Sequence, residues 1–203
     1  MSAKTEILRN IRQALGPRAA SGDGDFPVAR EYRQALSLSP EDRIRLFTDR
    51  LKDYNATIYE TIAEALRARG KKGLLIPAGF PQEWLPEGFS FVRDEGLTFE
   101  AIDQSEGALT ACTVAIALTG TIILSHSAHE GRRALSLIPD YHLCIVRADQ
   151  IVDTVPQGIR ALTHCRTSPI TTISGPSATA DIEMTRVKGV HGPRTLDVII
   201  LKE

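Results

Sequence analysis

No stretch of this 203-residue chain could cross a membrane as a helix. Hydrophobic residues make up 42% of it, but charges interrupt every run well short of the roughly 20 apolar residues that a span requires. The opening "MSAKTEILRNIRQALG" lacks the uninterrupted apolar core of a secretory signal, so a cytoplasmic location is expected. Charge of one sign is missing too: 24 Lys and Arg stand against 25 Asp and Glu, a formal net charge of −1, and no global field draws in nucleic acid or anionic lipid. Cysteine is scarce. Cys112, Cys144 and Cys165 are widely spaced and include no C-x-x-C pair, which argues against a structural zinc or an iron–sulfur cluster held by this chain. Neither the Gly-Lys-Ser/Thr ending of a P-loop nor a G-x-G-x-x-G dinucleotide fingerprint occurs, and there is no internal repeat.

What is present is a helix, a linker and an α/β rhythm. Residues 3–15 place Ile7, Leu8, Ile11, Ala14 and Leu15 on one helical face, and Gly16-Pro17 ends the helix. The "AASGDGDFPV" that follows has linker composition, so residues 1–30 are expected to form an amphipathic N-terminal helix with its linker. That helix suits packing in cis, on a different subunit or in a homo-oligomer. Residues 31–203 then form the main domain. A second helix begins with Ser39 as N-cap, Pro40 in the first turn and Asp42 at the third position, and carries the stripe Ile44, Phe47, Leu51 and Tyr54. Beyond it "ATIYE", "KGLLIPA", "CTVAIAL", "HLCIVRA" and "LDVIIL" read as strands among helical segments, which predicts an α/β layer with a mixed, mostly parallel sheet and flanking helices. Such sheets bind ligands beyond the carboxyl ends of their strands. Thr119-Gly120 is too short for a crossover, so residues 112–125 are expected to form an antiparallel hairpin. Cys112 and Cys144, inside strand-like runs, read as small buried hydrophobes.

Three stretches could carry chemistry. In "LTGTIILSHSAHEGRR", Gly120 would let backbone amides approach a ligand, Thr119 and Thr121 offer hydroxyls, and Arg132 with Arg133 could fork onto a carboxylate or phosphate. The same residues equally suit a tight turn and a solvated loop. His126 and His129 have i, i+3 spacing but no evident third ligand, so no metal site is expected. In "ITTISGPSATADIE", a strand is expected to run through Ser174, Gly175, Pro176 and Ser177 into a short helix, whose N-terminus would cradle an anion. Asp181 and Glu183 on that helix are candidate acid–base groups, or simply solvated carboxylates. In "GVHGPRTLDVIIL", His191 sits in a turn with Gly192 and Pro193, placed either to orient a substrate or to close the turn on a backbone carbonyl.

Taken together, "VAIALTGTIILS", "RRALSLIPDYHLCIV" and "ISGPSATADIEMTRVKGVHGPRTLDVIIL" resemble the LUD (lactate utilization) domain family, in particular its stand-alone form, over most of residues 40–203. The resemblance implies a fold like that of glucosamine-6-phosphate deaminase, ribose-5-phosphate isomerase and CoA transferases. It also implies a part in oxidising L-lactate to pyruvate beside partner proteins that carry iron–sulfur clusters, this chain holding no cofactor itself. The shared motif positions are Gly120, Thr121, Ser174 to Ser177, Asp181, Glu183 and His191 to Pro193. Where the family commonly reads Ala-Glu-Ser/Thr-Gly-Thr, this chain has Leu118 in place of the acid, a substitution that would also extend the apolar alternation of its strand. The leading expectation is a non-cluster accessory subunit with an anion site between the Gly120 hairpin and the Ser174 loop. The alternatives are a stand-alone enzyme on a phosphorylated or CoA-linked small molecule, as in the fold relatives, and a regulatory ligand-binding module.

Overall fold

The computed structural model describes residues 3–15, 31–165, 167–180 and 186–202. They fall into two compact units, one ending at Arg33 and one beginning at Gln34. The first contains the expected amphipathic helix α1 (Ala3–Leu15).

The second unit opens with α2 (Pro40–Asp53), where Ser39 Oγ accepts the Asp42 amide at 3.1 Å and Pro40 occupies the first turn. Phe47 and Leu51 are fully buried, Ile44 is half-buried and Tyr54, at the C-cap, is exposed. Next come β1 (Thr57–Tyr59) and α3 (Ile62–Ala68), capped by the Thr61 hydroxyl and facing the core with Ile62, Ala65 and Leu66. β2 (Gly73–Pro77) and β3 (Ser90–Asp94) pair directly, and α4 (Phe99–Asp103) leads to β4 (Ala108–Thr110). Then follow β5 (Val114–Ile116), β6 (Thr121–Leu124), the short α5 (Ala134–Leu137), β7 (Tyr141–Arg147), β8 (Ile151–Val152) and α6 (Val155–Ala161). β9 (Thr171–Ile173), β10 (Ala178–Ala180), β11 (Arg186–Lys188) and β12 (Thr195–Leu201) complete the domain. No helix among the described residues is long and apolar enough to cross a membrane.

Six strands form one sheet in the order β1-β12-β7-β4-β2-β3, every neighbouring pair parallel. Such a sheet is covered on both faces, which explains the continuous apolar run of β7. On one face Cys144, Val146, Leu196 and Val198 pack with Phe47 and Leu51 of α2 and with Ala115, Ile122 and Leu124. On the other, Leu143, Ile145 and Ile199 meet Ile62 and Leu66 of α3 together with Leu74, Ile76 and Phe80. Each of these large side chains contributes about 1.5–3 kcal/mol by leaving water.

The hairpin forms as expected, β5 against β6 with Ile116 opposite Thr121, but it lies outside the parallel sheet. After β4 the chain crosses through buried Ala111 and Cys112 into a second sheet of order β8-β5-β6-β9, whose β5–β8 pair is parallel and whose other pairs are antiparallel. The mixed pairing therefore belongs to this smaller sheet. Cys112 and Cys144 are buried as read from the sequence. Two expectations fail. Leu118 is 42% exposed and lies past the end of β5, so it adds nothing to the core. Residues 178–180, expected to lead into a helix, are strand, paired antiparallel with residues 186–188, as suits small and β-branched residues.

Candidate functional site

The segment 125–133 closes on itself. Glu130, 2% exposed, accepts from Thr113 Oγ1 at 2.5 Å through one oxygen, and from the amides of Ser125 at 2.7 Å and Ser127 at 3.1 Å through the other. With the Ser125 hydroxyl at 3.3 Å, four donors converge on one buried carboxylate and fix the loop. His126, at a φ of 58°, has Nδ1 3.0 Å from the Gly131 carbonyl and Nε2 2.9 Å from Thr171 Oγ1. Because a carbonyl only accepts, Nδ1 carries a proton toward Gly131. His129 Nδ1 is likewise 2.7 Å from the Gly79 carbonyl. Arg132 grips both oxygens of Asp94, at 2.7 and 3.0 Å, and also bonds the Leu97 carbonyl. Burial pushes the Asp94 carboxyl up, yet the Arg132 guanidinium and the amides of Leu97 and Gly96 outweigh it and hold it below its ordinary value. Arg132 is thus spoken for, and with Arg133 it borders a surface depression beside Gly79 and Pro169, apart from the Ser174 loop.

Gly120 also faces inward. A Cβ there would come 2.7 Å from Arg50 Cβ, and one on Gly175 would come 2.5 Å from Tyr54 Cβ. Both glycines, at φ of 60° and 86°, make left-handed turns that press against α2 and its cap, so they serve packing rather than ligand approach. The two turns do meet: Thr121 Oγ1 lies 2.8 Å from Ser174 Oγ and 2.8 Å from Thr119 Oγ1.

A cavity of about 240 Å³ opens where the other two stretches converge. Ser174 through Ser177 form one wall and His191 through Pro193 another. The Ser177 amide donates to the Pro193 carbonyl at 2.8 Å, and Ser177 Oγ accepts from the His191 amide at 3.2 Å, so the two turns are stitched together. Ser174 to Ser177 and His191 to Pro193 thereby share one space, which Thr119, Gly120 and Thr121 do not line. Asp181 and Glu183 fall outside the described residues.

The floor of the cavity was not read from the sequence. His142, Leu196 and Ser136 line it, and His142 and Leu196 are register partners at the first turns of β7 and β12. The site therefore lies at the amino ends of these parallel strands, opposite to the expectation for such sheets. That follows from where the covering loop arrives: β9 delivers Ser174–Ser177 over the start of β7, and Thr195 N–H bonds the Asp140 carbonyl there. His142 is 1% exposed, with Nε2 2.8 Å from Thr110 Oγ1 of the adjacent β4. Burial lowers its pKa from 6.5 to about 4, so the ring is neutral at physiological pH. A histidine opening an otherwise apolar strand, "HLCIV", was the available signal.

Comparison with known proteins places this architecture. Residues 49–201 match the model of the LUD domain. The chain is a member of the LUD domain family. This LUD domain is 43% identical to a Deinococcus radiodurans protein named Lactate utilization protein C, across 98% of this chain and 95% of that one. It is 30% identical to the Escherichia coli K12 protein YkgG across the whole of both chains. The crystal structure of a DUF162 family protein from D. radiodurans superposes with a TM-score of 0.70 at 41% identity, covering 82% of this chain and all of that one. Among the described residues of the LUD domain no three His, Cys, Asp or Glu side chains are grouped to hold a metal ion.

Proposed function

We propose that this LUD domain serves lactate utilization in the cytoplasm as an accessory subunit without a cluster of its own. It binds a small anionic ligand while iron–sulfur partner proteins accept the two electrons released as L-lactate becomes pyruvate, with two protons. The observation that carries this reading is the near full-length similarity to a protein named Lactate utilization protein C. The cavity supports it: at about 240 Å³ it lies below the roughly 300–1,000 Å³ typical of pockets for drug-sized ligands, and so suits a molecule of a few heavy atoms better than a CoA ester.

Affinity purification of the tagged chain from native cells grown on L-lactate tests the reading. Iron–sulfur proteins should accompany it in fixed ratio, and L-lactate should reduce an artificial electron acceptor only with the assembled complex. Purification free of any cluster-bearing protein, or substrate turnover by the isolated chain, would remove it.

A further inference from the structure

His142 is the one buried imidazole of the described residues, and its bonding is incomplete. Nε2 faces Thr110 Oγ1 at 2.8 Å, and Nδ1 has no partner among the described residues. An unmatched polar atom sealed in a core is costly. His142 lines the cavity, and Nδ1 is its ring nitrogen left without a partner among the described residues. Around it the polar supply is hydroxylic. Ser177 Oγ accepts the His191 amide and keeps its own proton to give, and Thr172 and Ser174 stand at the same wall. Among the described residues, no Lys or Arg lines this cavity. Such a lining matches a single negative charge spread over two oxygens better than a phosphate dianion, whose recognition favours guanidinium or ammonium partners.

We infer that His142, braced by Thr110, recognises a small 2-hydroxy or 2-oxo monocarboxylate through Nδ1, with the ligand's carboxylate on the hydroxyls of the Ser174–Ser177 wall. The inference rests on the lactate reading above, which supplies the ligand class, and goes further in naming the recognising residue. Because Thr110 can give or take a proton at Nε2, the neutral ring can present either an acceptor to a 2-hydroxyl or a donor to a 2-oxo group. One residue therefore serves both members of a hydroxy/oxo acid pair. Leu196 and Leu137 supply an apolar side for a methyl group.

The substitution His142→Gln tests it, because the glutamine amide can keep the bond to Thr110 while nothing replaces Nδ1. Binding of L-lactate, pyruvate and inorganic phosphate to the full chain is measured by calorimetry. Imidazole nitrogen NMR of the wild type is recorded with the same three probes, which keeps the test open if the variant does not fold. Expected are saturable binding of L-lactate or pyruvate, a displaced His142 Nδ1 resonance, and affinity about ten-fold weaker in His142→Gln, the loss of one hydrogen bond. If L-lactate binds with the His142 resonances and the variant's affinity unchanged, the inference falls while the lactate reading stands. If only phosphate binds, or none of the three, the ligand class is wrong; the partner purification above then decides the lactate reading separately.

Discussion

The segment 125–133 and the turns 174–177 and 191–193 draw on the same alphabet of Ser, Thr, Gly and His, yet the structure employs them in opposite ways. In the first, several groups that looked available are consumed by structural bonds: Glu130 by two amides and Thr113, His126 at both nitrogens, Arg132 by Asp94. In the second, the bonds run mainly through the backbone, Ser177 to Pro193 and His191 to Ser177, and leave side chains of the loops and of His142 beside a cavity. Whether a polar turn is scaffold or site is settled by which of its groups remain unanswered once the backbone is folded. Composition alone does not distinguish the two.

If that contrast is right, substitutions in the first segment damage stability and those in the second damage ligand response. The largest loss is expected for Glu130→Ala, which strands the buried Ser125 amide and the part-buried Ser127 amide and should cost about 4 kcal/mol in urea denaturation; a cost near zero would show that the carboxylate does not hold the loop. Next is the pH dependence set by His142. Its folded pKa of about 4 lies below the ordinary 6.5, so as pH falls through 6.5 the unfolded chain takes a proton that the folded chain refuses. The stability this neutral ring preserves is complete above pH 6.5 and is lost down to pH 4, about 3 kcal/mol in all. His142→Gln should be free of this loss, so the wild-type and variant stabilities measured from pH 7 to 4 should converge or cross; parallel curves would place His142 in water. Arg132→Ala, which leaves Asp94 buried without its cation, should cost about 2 kcal/mol, moderated because the Arg132 side chain is 39% exposed. Asp94 also adds a pH term of the same sign: its lowered carboxyl contributes stability above its unfolded pKa that is lost as the folded form protonates. Ser177→Ala should have the smallest effect on stability, under about 1 kcal/mol, while weakening ligand binding.

The architecture was largely legible because buried parallel strands advertise themselves: "KGLLIPA", "HLCIVRA" and "LDVIIL" are apolar on both sides, as two covered faces demand. The N-cap of α2 and the tight turn at Thr119-Gly120 were equally local signals. What stayed hidden depended on contacts distant in sequence. Nothing near Arg132 announces Asp94, 38 residues away, and His142 looked like one more strand residue until β9 and the His191 turn closed over it. The site moved from the carboxyl to the amino ends of the sheet for the same reason, since a loop's landing place is a property of the whole topology.

Growth tests the central claim most directly, that the amino-end cavity serves lactate utilization. In native cells lacking this chain, growth on L-lactate as sole carbon source should fail, the wild-type chain should restore it, and a folded His142→Gln or Ser177→Ala chain should restore it poorly while Arg133→Ala restores it fully. Undiminished growth without the chain, or full rescue by both cavity variants, would contradict the account.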